Sequence, residues 1–248
     1  MPRRPNLLLL FALAIICFAL GLLSSRLRGP LSLPGSKTAP SIAPTEPAPV
    51  LASAPADQRI ILVVGINSLE EPSQLRCVWY VTYRTPGRNL FLLGLPVDLV
   101  PDQNSAKDLR TMFEWSAERG LGAPFLAGLR QVIPFDTDAV ILLDDDGFAS
   151  LVDYVGGLEL NGTRLEGPDV KALQTLLAAD PEASLSTQAE ILKALAARAS
   201  IIGNTPDLTP LIALLPKHAW VSRTVSELVA LAAPLLPLDP NLIHIDVY

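Results

Sequence analysis

Cysteine and histidine are scarce in this chain: there are two of each in 248 residues. Cys17 lies inside an apolar N-terminal run and Cys77 stands alone, so the sequence offers no intramolecular disulfide framework and no cysteine-rich metal site. His218 and His244 are isolated in sequence, with neither a Ser/His/acid arrangement nor a His/Glu ligand spacing around them. That argues against triad chemistry and against zinc. Positive charge is thin as well. From Gln58 onward 14 Lys and Arg stand against 23 Asp and Glu, a net of −9. No basic stripe interrupts that balance, which disfavours nucleic acid and anionic headgroups as partners. No internal repeat is visible.

Apolar residues are plentiful, at 50% of the chain, enough for a sizeable core. They are unevenly distributed. After Arg3 and Arg4, Leu7–Leu23 is an uncharged apolar run that as a helix spans about 25 Å at about 1.5 Å per residue, close to one bilayer core. The small-x-small pattern that a signal peptidase needs is weak around Gly21–Ser25, and Ile16 before Cys17 is too large for a lipobox. Residues 1–28 therefore read as a retained single-pass membrane anchor, with a cleaved signal peptide as the alternative, and the remainder outside the cytoplasm. Seven prolines fall between Gly29 and Asp57, among Ala and Ser, with too few large apolar residues to offset ordering entropy. Residues 29–57 read as a partly extended tether. A single domain, 58–248, follows.

In that domain short apolar runs alternate with helical patterns, which predicts an α/β fold with a central sheet and helices on both faces. Strands are expected at Arg59–Ile66, Val78–Tyr83, Asn89–Leu95, Ala139–Leu143 and Leu242–Val247. The second and third should pair as a hairpin through Thr85-Pro86-Gly87. Helices are expected at Ser105–Glu118 with Ser105 as N-cap, and at Ala123–Val132. A third should run from about Gly147 to Tyr154, capped by Asp144–Asp146 and closed by Gly156-Gly157. Four more are expected: Pro168–Ala178, Ser186–Ala199 with a capping-box-like start toward Glu190, Asp207–Leu215 and Thr224–Ala233. Three successive carboxylates before a helix can bind a hard cation, but they more often serve as caps. Asp153 is expected to make a structural hydrogen bond, and Asn161-Gly162-Thr163 to be a turn.

Leu90–Asp98 (LFLLGLPVD) and Gly147–Gly157 (GFASLVDYVGG) resemble, in order and spacing, the "LLSIPRD" and "GF..LVD.LGG" segments of the LytR-CpsA-Psr family. Ile61–Ile66 with Asn67-Ser68 is similar to the family's "LLLGVDSR", with Asn67 at the aspartate position and Leu69 at the arginine position. The resemblance spans about Arg59 to Arg198. It implies the family's fold and, for its typical members, transfer of glycopolymers from polyprenyl pyrophosphate to peptidoglycan, with Mg²⁺ and several arginines holding the pyrophosphate.

The charged pattern departs from the family. Val97 stands at a pyrophosphate-gripping arginine, and Arg76 at a metal-associated aspartate. Ala172-Leu173-Gln174-Thr175 and Ser186-Thr187-Gln188 replace arginine-bearing segments, of which only Gln188 matches. Phosphoryl transfer relies on charge neutralisation, and bidentate guanidinium groups suit it well. Losing one transition-state contact of this kind costs about 2 to 4 kcal/mol. No catalytic or metal-binding residue is therefore assigned. The candidate lipid- or phosphate-binding residues are Asp98, Arg76, Arg84 and Arg88.

Two functions follow from the resemblance. One is a non-catalytic envelope domain for binding, scaffolding or regulation, with a polyprenyl lipid or an envelope protein as partner and no cofactor. The alternative is an active phosphotransferase using Mg²⁺. An unrelated exported α/β domain is the third possibility.

Overall fold

The computed structural model describes residues 55–70, 72–102, 106–199, 217–235 and 239–248. The expected anchor, nearly all of the expected tether, Ser105 and the helix expected at Asp207–Leu215 lie outside the described residues. Among those described, no helix is long and apolar enough to cross a membrane.

A mixed six-stranded sheet forms the centre. Its strands are β1 (Gln58–Ile66), β2 (Leu75–Arg84), β3 (Leu90–Leu95), β6 (Ala139–Asp144), β9 (Ala219–Val221) and β10 (Ile243–Val247), in the order β10-β3-β2-β1-β6-β9. β1 and β2 are antiparallel, as are β2 and β3, so the expected hairpin is present. β1 pairs in parallel with β6, and β3 in parallel with the C-terminal β10.

Strand period decides what each face carries. Ile60, Leu62, Val64 and Ile66 of β1, with Val78 and Tyr80 of β2, Leu95 and Leu142, point to one face. There they pack on Leu109 of the short helix α1 (Leu109–Met112) and on Phe125 and Leu129 of α2 (Ala123–Val132). Phe125 is wholly buried; each such side chain contributes about 1.5 to 3 kcal/mol. The alternate residues face α3 (Asp145–Tyr154), α4 (Gly167–Leu177), α5 (Pro181–Ala199) and α6 (Val225–Ala232). On that side Trp79 packs on Leu185 and Ala189 of α5, while Ile61, Ala139 and Ile141 pack on Leu228 and Ala232 of α6.

Several boundaries differ from the sequence expectation. The region expected as one helix over Ser105–Glu118 holds only α1, capped by Asp108, whose Oδ1 accepts from Thr111 N at 2.7 Å. A two-stranded hairpin follows, β4 (Trp115–Ser116) and β5 (Gly120–Leu121). Gly120, at φ +72° and two residues past the expected helix end, turns the chain into β5, and Trp115 Nε1 donates to Ser73 Oγ at 2.9 Å, which holds β4 away from a helical path. Helix α5 begins at Pro181, not at Ser186. Asp180 Oδ1 accepts from Ala183 N at 3.0 Å, and proline at the first helical position completes that start, so Ser186, Thr187 and Glu190 lie inside the helix. Strand β9, the hairpin β7 (Leu158–Leu160) with β8 (Thr163–Leu165), and the pair β4 and β5 are additional to the expected strands. The turn expected at Asn161-Gly162 is present, with φ of 50° and 75°.

Candidate functional site

Between the second face of the sheet and its helices lies a cavity of about 200 Å³. Its floor is one face of five adjacent strands, drawn from three register rows: Leu143, Gly65 and Cys77 in one, Ile141, Val63 and Trp79 in the next, and Val81, Leu92 and Ile245 in the third. Four interstrand spacings of about 4.8 Å give the floor a width of about 19 Å. Phe148 and Leu151 of α3 and Ile191, Leu192, Leu195 and Ala196 of α5 form the roof. The absence of a side chain at Gly65 makes room for Cys77 Sγ, on which a Cβ there would fall. Burial pushes the Cys77 thiol up to about 12, so it remains neutral.

Polar groups gather at one end of the cavity. Arg76 Nε lies 3.4 Å from Asp145 Oδ2, with side-chain exposures of only 15% and 6%. Asp144 Oδ1 accepts from Gly147 N at 2.7 Å, which caps α3 as the sequence suggested, and His218 Nδ1 lies 3.1 Å from both of its oxygens. Asp146 pairs with Lys171 outside. Burial raises the pKa of both Asp144 and Asp145, opposed at Asp144 by the Gly147 N–H and His218, and at Asp145 by Arg76 and Lys171. Gln188 is buried. Its Oε1 accepts from Trp79 Nε1 at 3.2 Å, while its Nε2 donates to Arg76 O at 3.2 Å and to Ser184 Oγ at 3.0 Å. It thus ties α5 to the backbone of β2 beside Arg76.

The Mg²⁺ implied by the family resemblance does not fit this arrangement. Asp145 already has a guanidinium as its cation, Asp144 is engaged by a backbone N–H and His218, and Asp146 turns to Lys171. Three adjacent carboxylates thus diverge to separate partners. Among the described residues, no group of three or more His, Cys, Asp or Glu side chains is placed to hold a metal ion.

Of the four candidate residues only Arg76 lines the cavity. Arg84 lies eight residues along β2 from it, about 26 Å at 3.3 Å per residue, and is exposed with its Nη2 3.5 Å from Gln58 Oε1. Arg88 and Asp98 are also exposed and do not line the cavity. Val97 is buried, and its carbonyl accepts from Arg110 N at 2.8 Å. Asp153 behaves as expected: its Oδ1 accepts from Gly167 N at 2.6 Å, joining α3 to α4. Sequence reasoning missed Gln174, Trp79 and the Arg76–Asp145 and Asp144–His218 pairs. Their members are far apart in the chain, and no local pattern marks them.

Solved structures share this architecture. The chain superposes on TagV of Bacillus subtilis with a TM-score of 0.58 at 16% identity, over 78% of this chain and 85% of that one. A Bacillus subtilis protein described as the transcriptional regulator yvhJ gives 0.56 at 17% identity, over 78% and 83%. TagT bound to LIIa-WTA gives 0.57 at 12%, over 78% of each chain. No family model matches the sequence, and no curated protein matches it. At these identities the likeness is one of fold: the described domain has the LytR-CpsA-Psr fold that its two best motifs led us to expect.

Proposed function

We propose that this chain is a membrane-tethered, extracytoplasmic domain of the bacterial cell envelope that binds the apolar chain of a polyprenyl-type lipid and has no glycopolymer transferase activity. The observation that carries the reading is the cavity, apolar along its length and closed at its polar end by the Arg76–Asp145 ion pair. A phosphate clamp needs several unengaged cations converging on one point. Here Val97 is buried, the segment Ala172-Leu173-Gln174-Thr175 lacks the arginines that the family resemblance calls for, and Arg84 and Arg88 are exposed away from the cavity. TagT, which has the same fold, was solved with LIIa-WTA bound, which supports a ligand-holding role for the fold.

Affinity should follow chain length, since each buried methylene contributes about 0.8 kcal/mol, or about fourfold in Kd. The test uses the full chain in detergent with geranyl, farnesyl and geranylgeranyl lipids, and follows turnover of polyprenyl pyrophosphate with and without Mg²⁺. Affinity that rises along the series, is abolished by Ala196→Phe in the cavity roof and is accompanied by no turnover supports the proposal. Mg²⁺-dependent turnover at enzymatic rates, or affinity indifferent to chain length, sinks it. For the location, protease added to intact spheroplasts should digest the domain and leave a membrane-bound stub. A domain that survives until the membrane is lysed overturns that part.

A further inference from the structure

The central sheet ends on β10, and among the described residues no strand pairs with its outer edge. The opposite edge strand, β9, has only three residues. Lysine, proline and bulges are the usual protections against edge-to-edge pairing, and Ile243–Val247 (IHIDV) carries none of them, in unbroken register with β3. Exposed apolar side chains gather beside it. Phe91 of β3 is 47% exposed, Val247 49% and Tyr248 66%, and the Phe91 ring stacks on His244 at a centroid distance of 4.8 Å.

The backbone dictates how a further strand can join. Tyr248 N donates to Gly94 O at 2.9 Å. Backbone groups alternate along a strand, so Tyr248, Asp246 and His244 turn theirs toward β3, while Val247, Ile245 and Ile243 turn theirs toward the open edge. A strand laid antiparallel on that edge makes its hydrogen-bonded pairs at those three residues. His244 and Asp246 then fall in the intervening pairs, where opposed Cα atoms are only about 4.5 Å apart and side chains meet most closely.

This edge is complementary to itself. A two-fold axis beside Ile245 sets Ile245 against its own copy, Ile243 against Val247, and His244 against Asp246, the last two pairings occurring twice by symmetry. The aliphatic pairs lie on the face of the sheet that floors the cavity, and the imidazole–carboxylate pairs lie on the other, beside Phe91. Moving the axis to Ile243 or Val247 breaks both His–Asp pairs, and a parallel copy in register sets like against like.

We propose that β10 is a homodimer interface, at which a second copy of this chain adds its own β10 antiparallel about Ile245, with His244 of each copy facing Asp246 of the other.

Sedimentation equilibrium of the full chain in density-matched detergent should show a reversible monomer–dimer equilibrium. His244→Asp, which opposes carboxylates at both pairs, should raise the dimer dissociation constant about tenfold, and Asp246→Lys should raise it as well. Mixing the two variants should restore a heterodimer of near-parental affinity. In that mixture the new carboxylate of one chain faces the new ammonium of the other, and the remaining His244 faces the remaining Asp246. Recovery on mixing is a readout that damage to either chain alone would not produce. A chain that stays monomeric up to submillimolar concentration, a dimer that neither substitution weakens, or two weakened variants that do not recover when mixed overturns the proposal.

Discussion

Replacing Arg76 with methionine should lower the stability of the domain by about 3 to 5 kcal/mol at neutral pH, the usual cost of stranding one member of a buried ion pair. Methionine keeps most of the side-chain volume, so the loss reports on charge. Asp145, with only 6% of its side chain exposed, would then face the cavity as an uncompensated anion. The deficit should depend on pH in a defined direction. Burial raises the folded pKa of Asp145 above its ordinary 3.8, and Arg76 is the largest influence pulling it back down. Without Arg76 the folded pKa rises further, so the native state binds a proton more readily than the unfolded chain. Stability is then lost as pH rises from 3.8 through the folded pKa, and the deficit closes as pH falls through that window. Adding Asp145→Asn should recover most of the loss at neutral pH, because both charges are then gone. Urea unfolding of the parent, Arg76→Met, Asp145→Asn and the double variant at neutral and acidic pH measures the coupling. Strictly additive losses, or a deficit that does not change with pH, would contradict the buried pair as described.

Gly167→Ala should be destabilising by about 3 kcal/mol, which for a domain of this size corresponds to a fall in melting temperature of about 6 to 12 °C. A Cβ at this position would fall on the carbonyl oxygen of Ala149 and 2.7 Å from Asp153 Oδ2. The first of these atoms belongs to the backbone of α3 and cannot swing aside as a flexible side chain does. The helices α3 and α4 must separate, and the bond from Gly167 N to Asp153 Oδ1 is lost with their contact. Because α3 carries Asp144 and Asp145 at its start and α4 carries Gln174, the same change should also weaken ligand binding. Calorimetry of Gly167→Ala beside an exposed control, Gly162→Asn in the β7–β8 turn, checks this; equal melting temperatures would contradict the helix contact.

Local signals in this chain were strong wherever an element was decided by its own residues. The β-branched run at Arg59–Ile66 became β1, the Thr85-Pro86-Gly87 segment became the β2–β3 turn, and Gly156 and Gly157, both at positive φ, end α3 as their spacing implied. Asp153 is structural, as its place in the LVD motif implies. Where local signals compete, contacts between distant residues decide. Apolar spacing across Ser105–Glu118 suggests one helix, but Trp115 lies in β4 and its bond to Ser73, 42 residues away, holds that segment in a hairpin instead. The start of α5 was visible in Asp180-Pro181, yet the later Ser186-Thr187 pair imitated it closely enough to displace it.

By itself the sequence determined the α/β class, most of the central strands and helices, the family resemblance and the loss of its charged pattern at Val97 and Arg76. Those features depend on residues near one another in the chain. Only the tertiary structure decided that Arg76 meets Asp145, that Asp144 meets His218, and that Arg84 and Arg88 stand away from both. It alone placed Gln174 and Gln188, from two different helices, in the wall of one apolar cavity floored by five strands. A sequence records each residue's charge and hydropathy, whereas partnership depends on sheet order and helix placement, and these are set by burial of the whole core at once.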